Sequence, residues 1–364
     1  MRKFLNIIFI GLIVFLPFLQ PTATHAHALS ASFGKIVLEE SQITYIFSID
    51  DLSVIENIQL DQNNDSTLSQ EEVDNGKASI EEWIGQNLTM QADGVALRPS
   101  TGKMISEQRN DKNVVTTTLT YSLGEESKTI TLVDNFYKNT NDNTTYTQLL
   151  TIEQDGNFSE KIIKGDDRTW EADLTVEGAA TSGTSWWEFF LFGMEHILTG
   201  YDHLLFLFAL LLARQSFKDH IKVVTAFTIA HSITITLGYL EIIKLPGLLV
   251  ESVIALSIVY VAIENIFRKE VKKRYILTFM FGLVHGLGFA GLLSEMTIPK
   301  SHLAISLLSF NLGIEVIQVA LVALVLPFLA KVQKLKQYPS TLKYGSAIII
   351  FIGGYWVIER VFQL

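Results

Sequence analysis

Two histidines and an aspartate introduce a strongly apolar run. His196, Asp202 and His203 lead into residues 204–213, all of which are apolar. An ionisable group inside a membrane costs about 2.5–3.5 kcal/mol, so such groups are rare and usually functional. In a continuous helix His196 and His203 would share one face, about two turns or roughly 10 Å apart. These groups indicate a metal or proton site, and the alternative is a set of polar side chains that hold helices together.

Other apolar segments carry polar residues at a similar depth. With a rise of about 1.5 Å per residue, the distance of each residue from the end of its segment places it near the membrane midplane. His196 lies outward of this layer, where it would meet an arriving ligand first. The residues predicted to converge at the midplane are His203, His231, His285, Asn311 and Glu315.

Spacing within two segments supports this convergence. Asn311, Glu315 and Gln318 follow i, i+4, i+7, which predicts a polar stripe on one helix face. Gly282 and Gly286 form a G-x-x-x-G pattern, which predicts close helix packing and would bring the histidine between them near its neighbours. Imidazole with carboxylate suits nickel, cobalt, zinc or iron(II), whereas the absence of thiolate argues against a dedicated copper(I) site.

The composition indicates a soluble part joined to a membrane part. The chain has 364 residues, is 48% hydrophobic and has a mean hydropathy of +0.30, yet it contains a long polar segment. Its formal net charge is −10, and the acidic residues concentrate before residue 176, which argues against nucleic acid as a partner. The absence of cysteine excludes disulfides, thiolate metal sites and thiol nucleophiles.

Residues 1–26 have the features of a secretory signal peptide: a charged start, an apolar middle and small residues at a cleavage site. Cleavage after Ala26 would leave His27 as the first residue, whose amine and imidazole form a chelate suited to copper(II) or nickel(II). Cleavage after Ala28 would instead leave Leu29 first. An uncleaved segment would act as an anchor helix.

Residues 27–175 are predicted to form a small extracytoplasmic β-sandwich-like domain of antiparallel strands, and residues 176–185 a linker. The strand segments are rich in β-branched and aromatic residues. A helical insertion over residues 52–60 and 69–87 follows the first of them. The predicted strands cover residues 36–47, 114–123, 128–133, 144–153 and 158–163.

The helical insertion contains an EF-hand-like loop at residues 61–72. Its side chains match the oxygen ligands expected at positions 1, 3, 5 and 12 of a calcium loop, and position 7 provides a backbone carbonyl. Ser66 replaces the usual glycine at position 6, so the turn is expected to be strained and the calcium affinity reduced. The motif predicts a structural calcium clip, with a degenerate acidic loop as the alternative. The ligands would be Asp61, Asn63, Asp65, Thr67 and Glu72.

Residues 186–364 are predicted to form an all-α polytopic membrane bundle of about six helices, each able to cross about 30 Å of hydrocarbon. The loops on one side are rich in Lys and Arg, whereas those on the other hold only Lys244 and Lys300. This asymmetry predicts a multi-pass protein of the cytoplasmic membrane whose N-terminal domain is extracytoplasmic. The predicted spans are residues 188–213, 219–242, 247–267, 275–296, 302–330 and 341–361.

Several motifs in this part resemble the HupE/UreJ family of bacterial membrane proteins. They are His196-(x5)-Asp202-His203, Phe-Thr-Ile-Ala-His231-Ser, Phe-Gly-Leu-Val-His285-Gly and Asn311-Leu-Gly-x-Glu315. The resemblance covers about residues 186–361. It implies a nickel or cobalt permease linked to hydrogenase or urease, with the first-span His and Asp residues contacting the metal. The simplest members lack a large external domain.

The leading prediction is therefore a permease, not an enzyme, that carries a divalent transition-metal ion as its substrate. Nickel or cobalt is favoured, while zinc, iron and copper stay open, and the ligands would be the intramembrane His, Asp, Asn and Glu residues. One alternative is an intramembrane zinc-dependent hydrolase. Another is a metal-responsive receptor or assembly protein acting through its external domain. The predicted partners are the bilayer, the metal ion and an unidentified extracytoplasmic protein.

Overall fold

The computed structural model describes residues 30–109, 112–138, 146–176, 178, 185–268, 273–294 and 300–362. A β-sheet domain occupies the N-terminal part, and apolar helices form the C-terminal part. The predicted signal peptide at residues 1–26, both predicted cleavage positions and His27 lie outside the described residues.

The N-terminal domain contains ten strands in two sheets within the described ranges. The larger sheet has the order β5-β6-β2-β1-β8-β9, and the smaller has the order β10-β7-β3-β4. The strands are β1 (Ser30–Glu39), β2 (Gln42–Asp50), β3 (Leu88–Ala92), β4 (Val95–Ala96), β5 (Ser100–Arg109), β6 (Lys112–Ser122), β7 (Thr129–Asp134), β8 (Tyr146–Gln154), β9 (Asn157–Lys164) and β10 (Thr169–Asp173).

Two expectations about these strands were wrong. Residues 36–47 are not one strand but parts of β1 and β2, which pair antiparallel around a turn at Glu40 and Ser41. The apolar pattern continues through this turn and conceals it. The larger sheet is also not purely antiparallel, because β1 pairs parallel with β8. A parallel pair requires a long crossover connection, and here more than a hundred residues separate the two strands.

The predicted helical insertion is present as α1 (Asp51–Ile58) and α2 (Gln70–Asn87). Ser69 begins α2 with a capping box, in which its hydroxyl and the Glu72 side chain each accept from the other's backbone N–H. One hydrophobic core joins α2 to both sheets, with Ile80 packed among residues such as Tyr45 and Leu132. The insertion is therefore part of the domain core.

Seven helices follow in the C-terminal part that the structure describes. Five are long and apolar enough to cross a membrane, and a sixth span results when the bent pair α3–α4 is counted as one. The helices are α3 (Ser185–Thr199), α4 (Tyr201–Leu212), α5 (Phe217–Tyr239), α6 (Gly247–Phe267), α7 (Arg274–Ser294), α8 (Lys300–Val332) and α9 (Tyr338–Phe362).

The expectation of a continuous helix over residues 188–213 was wrong. The helix is interrupted at Gly200, and the axes of α3 and α4 differ in direction by 69°. With φ −77° and ψ 89°, Gly200 departs from helical geometry while its N–H still donates to the His196 carbonyl at 3.0 Å. A β-carbon at this position would lie 2.6 Å from that carbonyl oxygen, so the close approach requires glycine.

The far end of α4 is anchored by side chains from three other helices. Asn265 donates to the Ala209 carbonyl at 2.7 Å, and buried Arg274 donates to the Leu210 carbonyl at 3.4 Å. The Tyr338 hydroxyl donates to the Leu212 carbonyl. These donors satisfy carbonyls that lack partners at a helix C-terminus. The short helix is thus held at one end while its other end carries His203.

The close packing predicted from the G-x-x-x-G pattern is confirmed between α5 and α7. A β-carbon on Gly282 would lie 2.5 Å from the Phe227 carbonyl oxygen and 2.9 Å from Ala230 Cβ. A β-carbon on Gly286 would likewise lie 2.5 Å from the His231 carbonyl oxygen. Small residues permit this approach, which membrane helices use in place of a hydrophobic driving force.

We expect Gly282→Ala to destabilise the protein by about 1–3 kcal/mol, because the added methyl would push α5 and α7 apart. Gly291→Ala on the same helix is the matched control, since nothing lies within 4 Å of its β-carbon position. Thermal unfolding of the purified protein in detergent measures both. Equal stability of the two variants would contradict the packing argument.

Candidate metal centre

Three histidine rings from different helices meet between α3, α4 and α5. His196 lies near the end of α3, His203 in the first turn of α4 and His231 in the middle of α5. One ring nitrogen from each lies within 4.8 Å of the other two. The His196 and His203 ring centroids are 4.7 Å apart, not the roughly 10 Å of a continuous helix, because the bend at Gly200 folds one ring towards the other.

Asp202 orients His203. One Asp202 oxygen lies 3.0 Å from His203 Nδ1 and also accepts the His203 backbone N–H at 2.8 Å. Its other oxygen lies 3.9 Å from Arg360 on α9. A carboxylate beside Nδ1 favours the tautomer that carries its proton there, which leaves the Nε2 lone pair available to a metal. Asp202 therefore acts on the site through His203.

Asn311 performs the same task for His231. Its amide nitrogen donates to the Leu307 carbonyl at 2.7 Å, so its oxygen, 3.4 Å from His231 Nδ1, is the free acceptor. This arrangement again favours a proton on Nδ1 and a lone pair on Nε2. The side chain of His231 is fully buried, and Asn311 is nearly so.

Three buried nitrogens in this cluster lack hydrogen-bond partners among the described residues: Nε2 of His196, of His203 and of His231. A buried polar atom without a partner is uncommon in native proteins and calls for a specific explanation, such as a bound ion. Neutral imidazole nitrogens are good ligands for nickel, cobalt and zinc. The arrangement is suited to holding a divalent transition-metal ion.

His285 forms a fourth ring at the edge of the cluster. Its centroid lies 5.1 Å from that of His203, and its Nε2 lies 3.0 Å from the Ser257 hydroxyl. Ser257 donates its own proton to the Ile254 carbonyl, so its oxygen accepts from His285 and leaves Nδ1 with the lone pair. That buried Nδ1 has no partner within the described part of the chain.

The structure does not bring Glu315 into the group of three. Its carboxylate accepts a 2.5 Å hydrogen bond from Thr225 on α5. Gln318, on the same stripe of α8, accepts from Thr228 at 3.0 Å. The predicted polar stripe therefore faces α5, and Glu315 and Gln318 contact threonines of that helix and not its histidine. Sequence reasoning missed the two threonines, although their i, i+3 spacing places them on one face of α5 and matches the spacing of Glu315 and Gln318.

Aromatic rings close the cluster on its other sides. The Phe289 ring centroid lies 4.2 Å from that of His196, and Phe289 stacks on Phe310 at 4.9 Å. The Phe227 ring lies 5.1 Å from His285 and 5.8 Å from His231. These apolar walls exclude water, which strengthens electrostatic interactions inside.

A second candidate site is the loop at residues 61–72. Asp61 accepts the backbone N–H groups of Asp65 and Ser66 at 3.3 and 2.9 Å, and Ser66 has φ 62°. A left-handed conformation at position 6 is the one that normally selects glycine. Glu72 accepts the Gln62 N–H at 2.9 Å, and such bonds hold the pKa of Glu72 below its ordinary value. Asn63 and Thr67 complete the loop through hydrogen bonds with Asp65.

The sequence model described as HupE / UreJ protein matches residues 172–360, just over half of the 364-residue chain. The chain belongs to the HupE/UreJ family. No curated protein matches the chain. The family match contains every intramembrane candidate, including Asp202, Asn311 and Glu315, and confirms the resemblance drawn from the motifs. It leaves out nearly all of the β-sheet domain and the loop at residues 61–72.

In this HupE/UreJ protein we expect Gly200→Ala to weaken binding of cobalt(II) or nickel(II) about 10-fold or more. Mutation of a residue that supports a metal ligand typically lowers metal affinity by this amount. The methyl would meet both the His196 carbonyl and His203 Nδ1, 3.1 Å away, and alanine also favours a straight helix. Titration calorimetry measures the affinity. Gly354→Ala is the control, because its β-carbon would contact nothing within 4 Å. Equal metal affinities of Gly200→Ala and the unchanged protein would show that the bend at Gly200 does not set the affinity of the site.

Proposed function

We propose that this protein is a permease for a divalent transition-metal ion, with nickel or cobalt as the substrate. The observation that carries the proposal is the convergence of three imidazoles whose Nε2 atoms are buried and lack partners in the described structure. The family to which the chain belongs is associated with nickel and cobalt transport, and five or six apolar helices indicate a multi-pass membrane protein.

In this proposal the ion exchanges its hydration shell for imidazole nitrogens. His196 is the least buried of the three and would receive the ion on the side of the β-sheet domain. His203 and His231 would hold it, with His285 within reach of His203. Because imidazole binds a metal only when neutral, protonation of the rings would favour release.

Glu315 and Gln318, together with Thr225 and Thr228, would provide the onward path. Their oxygens line the seam between α5 and α8 beyond the histidines. One Glu315 oxygen is buried and has no partner among the described residues, so it is available to a passing cation. We place the N-terminal domain outside the cytoplasmic membrane, so this path would lead to the cytoplasm.

The hydrolase alternative is less well supported. A zinc hydrolase needs an acid or base beside the metal-bound water. Asp202 is engaged with His203 Nδ1 and with Arg360, and Glu315 is bonded to Thr225 outside the histidine group. Because both carboxylates already have partners, the site is better suited to transporting the ion than to hydrolysis at the ion.

We expect His203→Ala to lower cellular uptake of the transported metal at least 10-fold at equal protein level in the membrane. His302→Ala is the control, because it removes a histidine that lies outside the cluster. Uptake of nickel, cobalt, zinc and copper is measured in parallel, which also identifies the substrate. Combining His203→Ala with His231→Ala should cost little more than either change alone, because ligands of one ion act as a unit. Uptake that survives His203→Ala would refute the proposal.

We further propose that the two sheets form a sandwich-like support for a structural calcium clip at residues 61–72. The support is the spacing of four side-chain ligands and one backbone carbonyl, together with the left-handed backbone at Ser66. We also retain His27 as the first residue of the mature protein and as an accessory copper or nickel chelate. Mass spectrometry of the mature N-terminus tests that assignment.

Calcium should raise the unfolding temperature of the full-length protein relative to a sample in EGTA, and Glu72→Ala should abolish the rise, because position 12 supplies two of the oxygens. Glu71→Ala is the matched control, since Glu71 is exposed and adjacent. Ser66→Gly should enlarge the rise by relieving the left-handed conformation. Absence of any calcium response in the unchanged protein would contradict the clip.

A further inference from the structure

The β-sheet domain is packed against α3. Phe33 and Ile162 of the larger sheet belong to the same hydrophobic cluster as Phe189 and Phe192 of α3. The strand nearest the helix is β9, at the edge of the sheet. An exposed edge strand leaves backbone groups unpaired and open to pairing with another chain. A helix that covers the edge prevents such pairing.

Polar contacts fix the relative position of β9 and α3. Glu188 accepts the Ile162 backbone N–H at 2.8 Å and lies 3.3 Å from the Lys161 ammonium group. Lys164 forms an ion pair with Glu195, and its ammonium group lies 5.6 Å from the centre of the Phe192 ring. Glu188 and Glu195 are seven residues apart, so they lie on the same face of α3.

These pairs differ from ordinary surface ion pairs, which contribute little. The side chains of Lys164 and Glu195 are only 27% and 39% exposed. They border an apolar contact, where electrostatic interactions are less screened by water. The contact therefore specifies one position of the helix along the strand.

The position of α3 affects the metal site because Gly200 interrupts the helix between His196 and His203. Without a continuous helix, the distance between these rings depends on the contacts that hold α3, which are made by α8 within the bundle and by β9 of the β-sheet domain. Glu195 immediately precedes His196, and Phe192 packs against Phe289 and Phe310, which surround the His196 ring. A displacement of α3 would move His196 relative to the other two histidines.

We propose that the external domain positions the metal site: Lys161 and Lys164 of β9 hold α3 through Glu188 and Glu195 so that His196 reaches His203 and His231. The proposal rests on the proposed metal-binding function. It makes Lys164 and Glu195 positioning residues that do not touch the ion. It also assigns a task to a domain that lies almost entirely outside the family match.

Charge reversal tests this proposal. Lys164→Glu and Glu195→Lys, each alone, should weaken cobalt(II) binding by the purified protein about 10-fold or more. Each should also change the shape of the visible cobalt(II) spectrum, because His196 would leave the coordination sphere. The double variant should recover the affinity and the spectrum of the unchanged protein, and Lys164→Arg should retain both. Mere loss of folded protein would lower the amplitude of the spectrum without altering its shape.

Lys35→Glu is the matched control. It makes the same change of charge in the same sheet, but Lys35 pairs with Glu153 at 2.8 Å inside the domain. If the reversed variants do not accumulate, the milder changes Lys164→Gln and Glu195→Gln take their place, with the same spectral change expected. Single variants with unchanged affinity and spectrum would overturn the proposal, as would a double variant no better than the singles.

Uptake in cells separates this proposal from the proposed function. If the unchanged protein binds cobalt(II) but carries no metal into cells, the permease assignment fails and the spectral test of positioning still stands. If the unchanged protein transports metal and both charge reversals transport it equally well, the positioning role fails alone. A protein that binds no cobalt(II), nickel(II) or zinc(II) overturns both.

Discussion

The interruption of the first membrane segment at Gly200 is the constraint on which the candidate metal centre depends. Two histidines seven residues apart are separated by about 10 Å along a straight helix, and the 69° change of direction brings their rings to 4.7 Å. The bend leaves α4 as a short helix whose carbonyl end needs partners. Asn265, Arg274 and Tyr338 supply them, so the helix that carries His203 is held by three others.

Three histidines of the membrane part share one hydrogen-bonding pattern. In His203, His231 and His285, one ring nitrogen contacts a protein oxygen, from Asp202, Asn311 and Ser257 respectively. The other nitrogen is buried without a partner among the described residues. An unpartnered buried polar group costs about 1–3 kcal/mol, so several of them are a substantial burden on the fold. Close packing at Gly282 and Gly286 favours the same arrangement, because it presses the helix of His285 against that of His231.

The two parts of the chain contribute differently to the site. The helical part provides all three imidazoles and the groups that orient them. The β-sheet domain provides an external contact for α3, which also packs closely against α8 within the membrane bundle. The domain is itself organised by a central parallel pair, β1 and β8, whose neighbour β9 carries the two lysines. The topology of the sheet thus decides which strand meets the membrane helix.

The sequence by itself determined the apolar spans, the close packing at Gly282 and Gly286 and the family, and it named the histidines and carboxylates that we propose as metal ligands. Periodicity and depth counting suffice for these because each describes one segment at a time. Tertiary structure decided which residues meet. His196 joined the cluster although depth counting left it outside, Glu315 turned to Thr225, and Lys164 met Glu195 across two domains. The physical reason is that backbone breaks and distant contacts arise from packing: Gly200 is one of 23 glycines, and only the crowding around it requires that residue.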